Sequence, residues 1–133
     1  MINNIINKKN FTKKNIKKLN TKFSKVIPFP FIIIDNFLEK KFANKILSDF
    51  EINKHWINYS FINNFKKYGL RNRSKMSKEQ NNLFKLLAEK KFIIYLEKIT
   101  KIKNLFLDPT LDGGGLHQIF KGGYLNIHTD FSS

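Results

Sequence analysis

"GLHQIFKGGYLNIHTDF", running from Gly115 to Phe131, is the stretch on which the fold turns. It holds two of the chain's three histidines, a Gly-Gly pair, and an aspartate two places after His128. Its alternation reads as two strands, Leu116 to Phe120 and Tyr124 to Phe131, joined at Lys121-Gly122-Gly123. Residues two apart on a strand share a face, so His128 and Asp130 are expected to project together, with Thr129 opposite. An imidazole beside a carboxylate makes two corners of a facial metal site. In such a site two histidines and one carboxylate leave three positions open.

Counting back by twos from Asp130 gives Asn126 and Tyr124, then Phe120, Gln118 and Leu116 across the turn, a mixed polar face. The other face carries Ile119, Leu125, Ile127 and Phe131, interrupted by His117 and Thr129. Whether His117 faces the metal depends on register. A three-residue loop over Lys121 to Gly123 pairs Leu116 with His128 and sends His117 to the far face. A two-residue Gly122-Gly123 loop pairs His117 with His128. The three-residue loop keeps Gln118 with the polar set and is preferred. His55 reads as a surface or packing residue.

Upstream, "LFLDPTLDGGG" is extended, with a turn at Asp108-Pro109 and a glycine run at 113 to 115. Before it, Ser77 and Gln80 have the spacing of a capping box and start a helix whose buried stripe is Leu83, Leu86 and Leu87. Phe92, Leu96 and Ile99 repeat that spacing, so the helix continues or restarts near Glu89 and ends by Lys103. Between His55 and Met76 the aromatics Tyr59, Phe61, Phe65 and Tyr68 suggest a strand, then a basic loop at Arg71 and Arg73. Phe42, Ile46, Leu47 and Phe50 give one amphipathic helix over Glu39 to Phe50. Ahead of that helix, Pro28 and Pro30 hold "VIPFPFIII" extended, and Phe31 to Ile34 reads as a short buried strand. Helices first and strands last make an α+β order.

The 133 residues fit one small domain, and 41% hydrophobic residues suffice for a core. Residues 1–25 read as a mobile basic Asn/Lys-rich arm, and residues 26–133 as the folded part. The formal net charge is +15, yet eight of the lysines fall between Lys8 and Lys25, where no acid precedes Asp35. With no arginine cluster and no nucleic-acid fold motif, this charge reads as solvated surface, and nucleic acid is not the favoured partner. Absence of cysteine excludes disulfides and thiolate metal sites and suits a cytoplasmic location. No apolar run approaches the roughly 18 residues of a membrane helix, and the basic N-terminus lacks an apolar h-region, so neither membrane nor secretory signal is expected.

"PFPFIIIDNFL", an amphipathic helix, and then "NLFLDPTLDGGGLHQIFKGGYLNIHTDF" together resemble the N-terminal part of a 2-oxoglutarate- and Fe(II)-dependent oxygenase of the prolyl 4-hydroxylase-like group. The similarity spans roughly residues 26 to 133. It implies a helical layer followed by the first strands of a double-stranded β-helix of jelly-roll or cupin type, truncated here. It makes His128 and Asp130 two iron ligands, with 2-oxoglutarate as cosubstrate, ascorbate as accessory reductant and a hydroxylation substrate of unidentified class. Gln118, Tyr124 and Leu125 occupy the region that contacts the cosubstrate. Relatives often place a tyrosine near Gln118 and an aromatic residue at the position of Leu125, departures that weaken a peptidyl-proline substrate.

The resemblance also places a distal histidine and a basic residue for the far carboxylate of 2-oxoglutarate on later strands. Arg71 and Arg73 precede the His-x-Asp strand and do not match. An incomplete domain is therefore expected, whose barrel either a continuing frame or a second chain would complete. The alternatives are a small basic nucleic-acid-binding protein and an inactive fragment of an interrupted oxygenase gene.

Overall fold

The computed structural model describes residues 4–60, 64–108, 110 and 114–128. The chain is α+β, with helices α1 (Lys13–Lys25), α2 (Lys40–Ile52), α3 (Lys78–Leu87) and α4 (Lys90–Thr100). Strands β1 (Ile57–Asn58), β2 (Asn64–Leu70) and β3 (Leu116–Leu125) form one antiparallel sheet in the order β1-β2-β3. It divides into two compact units, Met1–Glu51 with Lys78–Leu107 and Ile52–Ser77 with Asp108–Ser133. No helix among the described residues is long and apolar enough to cross a membrane.

The helical unit is built on the segment expected to be a mobile arm. Ile5 and Ile6 are buried, and Ile6 forms an antiparallel bridge with Leu38. The Asn7 amide donates to Phe37 O at 3.0 Å and the Glu39 amide to Ile5 O at 2.9 Å. A 3-10 turn over Lys8–Phe11 leads to Thr12, whose hydroxyl accepts from the Asn15 amide at 3.2 Å and caps α1. Leu19 is buried, while Ile16 and Phe23 pack against the same cluster, at helical spacing along α1. The Asn20 side-chain amide donates to Ile99 O at 2.7 Å, satisfying a carbonyl in the last turn of α4.

A 13-residue helix with lysines in its first turn is marginal alone and runs against its own dipole. Tertiary packing outweighs both. That is why composition pointed to disorder and the chain is helical.

Other expectations divide. The capping-box helix starts at Lys78 with Leu86 fully buried, and the restart beyond Glu89 occurs at Lys90, ending at Thr100. Phe31 to Ile34 belongs to no strand. Ile32 and Ile34 pack on the core while Phe31 and Ile33 are exposed. The ladder bonds of this region go instead through Phe37 and Glu39 to the chain's first residues. On α2, Leu47 is exposed, since at ~100° per residue it lies roughly 140° around from Phe42. Asp49 is buried there and accepts from Lys45 Nζ at 2.7 Å.

Tyr95 lies inside this core, between Phe11 and Phe92 at centroid distances of 4.6 and 5.8 Å, and its hydroxyl has no hydrogen-bond partner among the described residues. Burial raises its phenol above the ordinary 10.0. The hydrogen bond and charge of Asp49 raise Lys45 above 10.5. In both cases the unfolded group gives up its proton first. Stability is therefore held below about pH 10 and lost as pH rises through the folded values. Tyr95→Phe removes the unpartnered hydroxyl. It is expected to keep or raise stability by about 1 kcal/mol and to make the alkaline loss shallower, as thermal melts at pH 8 and pH 11 will show.

Candidate metal centre

β3 is one strand of ten residues, where a hairpin was expected. Its partner is β2: Leu116 faces Leu70, His117 faces Gly69, Gln118 faces Tyr68 and Ile119 faces Lys67. The ladder then slips, and it resumes with Tyr124 facing Phe65 and Leu125 facing Asn64. Residues Phe120 to Gly123 stand opposite the single residue Lys66, so the Gly-Gly pair makes a bulge rather than a turn. A local hairpin would have left β2 without this ladder, whereas the long-range pairing satisfies both strands.

Gly122 takes φ +77 and Lys66 φ +52 at the slip. Lys66 reaches across it, donating to Lys121 O at 3.1 Å and lying 5.5 Å from the Phe65 ring centroid. Gly123 is there for room. A Cβ on it would stand 2.7 Å from Phe65 O and 2.9 Å from Phe120 O.

The bulge interrupts the period of two, so the even-numbered residues cannot be counted through it as one face. Gln118 lies half-buried beside Tyr68, whose ring meets Phe120 edge-on at 5.1 Å. Tyr124 lies exposed beside Phe65, with ring centroids 6.1 Å apart, and Leu125 is exposed beside Asn64. The three residues expected near the cosubstrate thus share a strand but fall on both sides of the slip.

His117 is committed within the sheet. Its Nε2 lies 3.2 Å from Gly114 O, and a carbonyl acceptor assigns the proton to that nitrogen. Its Nδ1 is 3.3 Å from where a Gly69 Cβ would sit, and the Tyr59 ring is closer still, at 2.7 Å. Two rings therefore cover one glycine, an arrangement in which a side chain at residue 69 would collide. The signal for this in the sequence was a glycine inside an otherwise strand-like run.

His128 is different. The strand ends at Leu125, so residues 126–128 lie beyond the ladder and strand alternation does not govern them. The His128 ring is exposed, and its Nδ1 is 2.7 Å from Asn126 O. The carbonyl assigns the proton to Nδ1. Metal-binding histidines are oriented in this way, the far nitrogen donating to a backbone carbonyl while the near one coordinates. Asp130 lies outside the described residues, as does Pro109 of the Asp-Pro turn. In that turn Asp108 Oδ1 accepts from both the amide and the hydroxyl of Thr110, at 2.8 and 2.7 Å. His55 is exposed, with its amide donating to Asn53 Oδ1 at 2.8 Å.

A complete set is not assembled among the described residues, which contain no cluster of three or more His, Cys, Asp or Glu side chains able to hold a metal. Comparison of the chain with protein families, with curated proteins and with solved structures finds no match.

Proposed function

We propose that the chain is the N-terminal part of a 2-oxoglutarate- and Fe(II)-dependent dioxygenase of the prolyl 4-hydroxylase-like group, in which His128 and Asp130 are two of the iron ligands. The observation that carries this is the Nδ1–H of His128 held on Asn126 O at 2.7 Å, the backbone-carbonyl contact by which metal-binding histidines are oriented, two residues before a carboxylate. Iron, when bound, supplies the coordination sites at which dioxygen and the oxo-acid meet, coupling decarboxylation to hydroxylation of a C–H bond.

The protein's part is positional. The Asn126 carbonyl holds the imidazole in one tautomer and one orientation, which removes the entropy of fixing it at binding. His117, tied to Gly114 and lying over Gly69, serves the sheet and does not coordinate. On this reading a second histidine and a cation for the far carboxylate complete the site, and none of the described residues is assigned to either role. Phe65, Ile119, Phe120, Tyr124 and Leu125, each between 42% and 51% exposed, offer apolar surface for the remainder of a jelly roll.

Titration with Mn(II), a redox-silent substitute for Fe(II), tests the assignment by calorimetry and electron paramagnetic resonance. His128→Ala and Asp130→Ala are each expected to weaken binding at least about tenfold, and His117→Ala to leave it unchanged. Added 2-oxoglutarate is expected to alter the spectrum of the bound ion. Binding that is indifferent to both ligand changes would refute the site.

A further inference from the structure

The lysines of α1 and α4 are not scattered. A groove of about 320 Å³ is lined by Lys13, Ile16, Lys17 and Asn20 of α1 with Lys98 and Lys101 at the end of α4. A second, of about 390 Å³, is lined by Phe11, Ile16, Lys90, Lys91, Ile94, Tyr95 and Lys98. The two share Ile16 and Lys98, so they adjoin. Together they bring six exposed ammonium groups to one face of the helical unit.

None of these six lysines has a carboxylate partner among the described residues. α1 contains no acid, and Glu97 of α4 accepts through Oε1 from the Leu105 amide at 3.1 Å. Six like charges without a direct ion-pair partner, outnumbering the flanking Glu89 and Glu97, must be screened by counterions, which a polyanion displaces with a gain in entropy.

We infer that this face binds the phosphodiester backbone of duplex nucleic acid, without sequence preference. From Lys90 to Lys101 the helix rises about 16 Å at ~1.5 Å per residue. That length matches about five phosphates of one strand at ~3.4 Å each. Lysine is a flexible point charge suited to phosphate and unsuited to bidentate reading of base edges. The aromatic residues here are not offered to bases, because Tyr95 is 2% exposed and Phe11 packs on it. A duplex, with bases stacked inside and phosphates outside, suits such a face better than a single strand. A membrane surface suits it less well, since Ile94, 38% exposed, is the one exposed apolar side chain among the described residues lining either groove and no apolar wedge accompanies the charge.

The test is fluorescence anisotropy of a labelled 20-base-pair duplex at stepped salt concentrations. The groove variant Lys17→Ala/Lys91→Ala/Lys98→Ala is compared with Lys40→Ala/Lys41→Ala/Lys85→Ala, which removes the same charge from exposed positions on α2 and α3. Salt-sensitive binding is expected for the native chain. The groove variant should lose about tenfold or more in affinity, with a salt slope shallower by about 3. The comparison variant should change about twofold at most, and circular dichroism should show both folded. Equal losses in the two variants would overturn the inference, as would absence of salt-sensitive binding. So would tighter binding to the single strand than to the duplex, or to vesicles rich in phosphatidylserine. These residues and this readout are separate from the metal titration, so either proposal can fail without the other.

Discussion

Ile6→Ala is expected to lower the stability of the helical unit by about 3 kcal/mol, a shift in urea midpoint read by helical circular dichroism at unchanged slope. Ile6 has no exposed surface, bridges to Leu38, and belongs to the cluster formed by Leu19, Leu86, Phe92, Tyr95 and Ile99. Truncating it removes apolar contact from several elements and leaves a cavity that the flanking pairing cannot close. The Asn7–Phe37 and Glu39–Ile5 hydrogen bonds hold the backbone in place on either side. Lys8→Ala, two residues on and exposed, is expected to move the midpoint by no more than about 0.5 kcal/mol. If the first 25 residues were a mobile arm, both changes would be silent. An unchanged midpoint for Ile6→Ala would therefore remove α1 and its lead-in from the core described above.

Gly123→Ala is the second large effect. The added methyl would lie 2.7 Å from Phe65 O, 2.9 Å from Phe120 O and 2.5 Å from Ile119 Cγ2. Two of the three obstacles are main-chain oxygens, so relief requires the β2–β3 ladder to shift rather than a side chain to turn. A loss of about 3 kcal/mol is expected in the sheet unit. Native-state amide exchange should show faster exchange at Lys67, Tyr68 and Ile119, with the α4 amides unaffected. Gly122→Ala is the instructive contrast. Its Cβ would meet only Lys66 Nζ at 3.6 Å, but φ +77 strains an alanine by about 1 kcal/mol. In a two-residue hairpin turn of type I′ both glycines would need positive φ. In the bulge Gly122 needs the angle and Gly123 needs the space.

The parts of the fold that could be read along the chain share one property: their signal is local. Leu83, Leu86 and Leu87 behind Ser77 locate α3, and Phe92, Leu96 and Ile99 locate α4, because helical spacing is complete within ten residues or so. Leu116 to Phe120 was legible as extended chain for the same reason, while Lys121 to Gly123 read as a turn and is instead part of β3. Leu47 shows the limit even there. It satisfies a loose helical pattern with Ile46, but its angle puts it in solvent while Asp49 goes inside, anchored to Lys45. Of the candidate site, adjacency of His128 and Asp130 could be read directly. The orientation of His128 could not, because it depends on where the strand stops and on a carbonyl two residues back.

By itself, then, the sequence determined the α+β class, the helical segments of α2, α3 and α4 and the His-x-Asp motif, through apolar spacing and residue type within short windows; strands β1 and β2 precede α3, so the expected order of helices first and strands last does not hold. Tertiary structure decided three further things. It made a helix of the lysine-rich segment, because Ile5, Ile6 and Leu19 find partners some thirty to ninety residues away. It gave β3 to β2 instead of folding it on itself, because a ladder already waiting on β2 outweighs a local turn. And it drew lysines of the N-terminal run and of α4, some seventy to ninety residues apart in sequence, onto one face between α1 and α4. Each depends on contacts between residues far apart, and a pattern read in short windows carries no record of which distant surface a segment will meet.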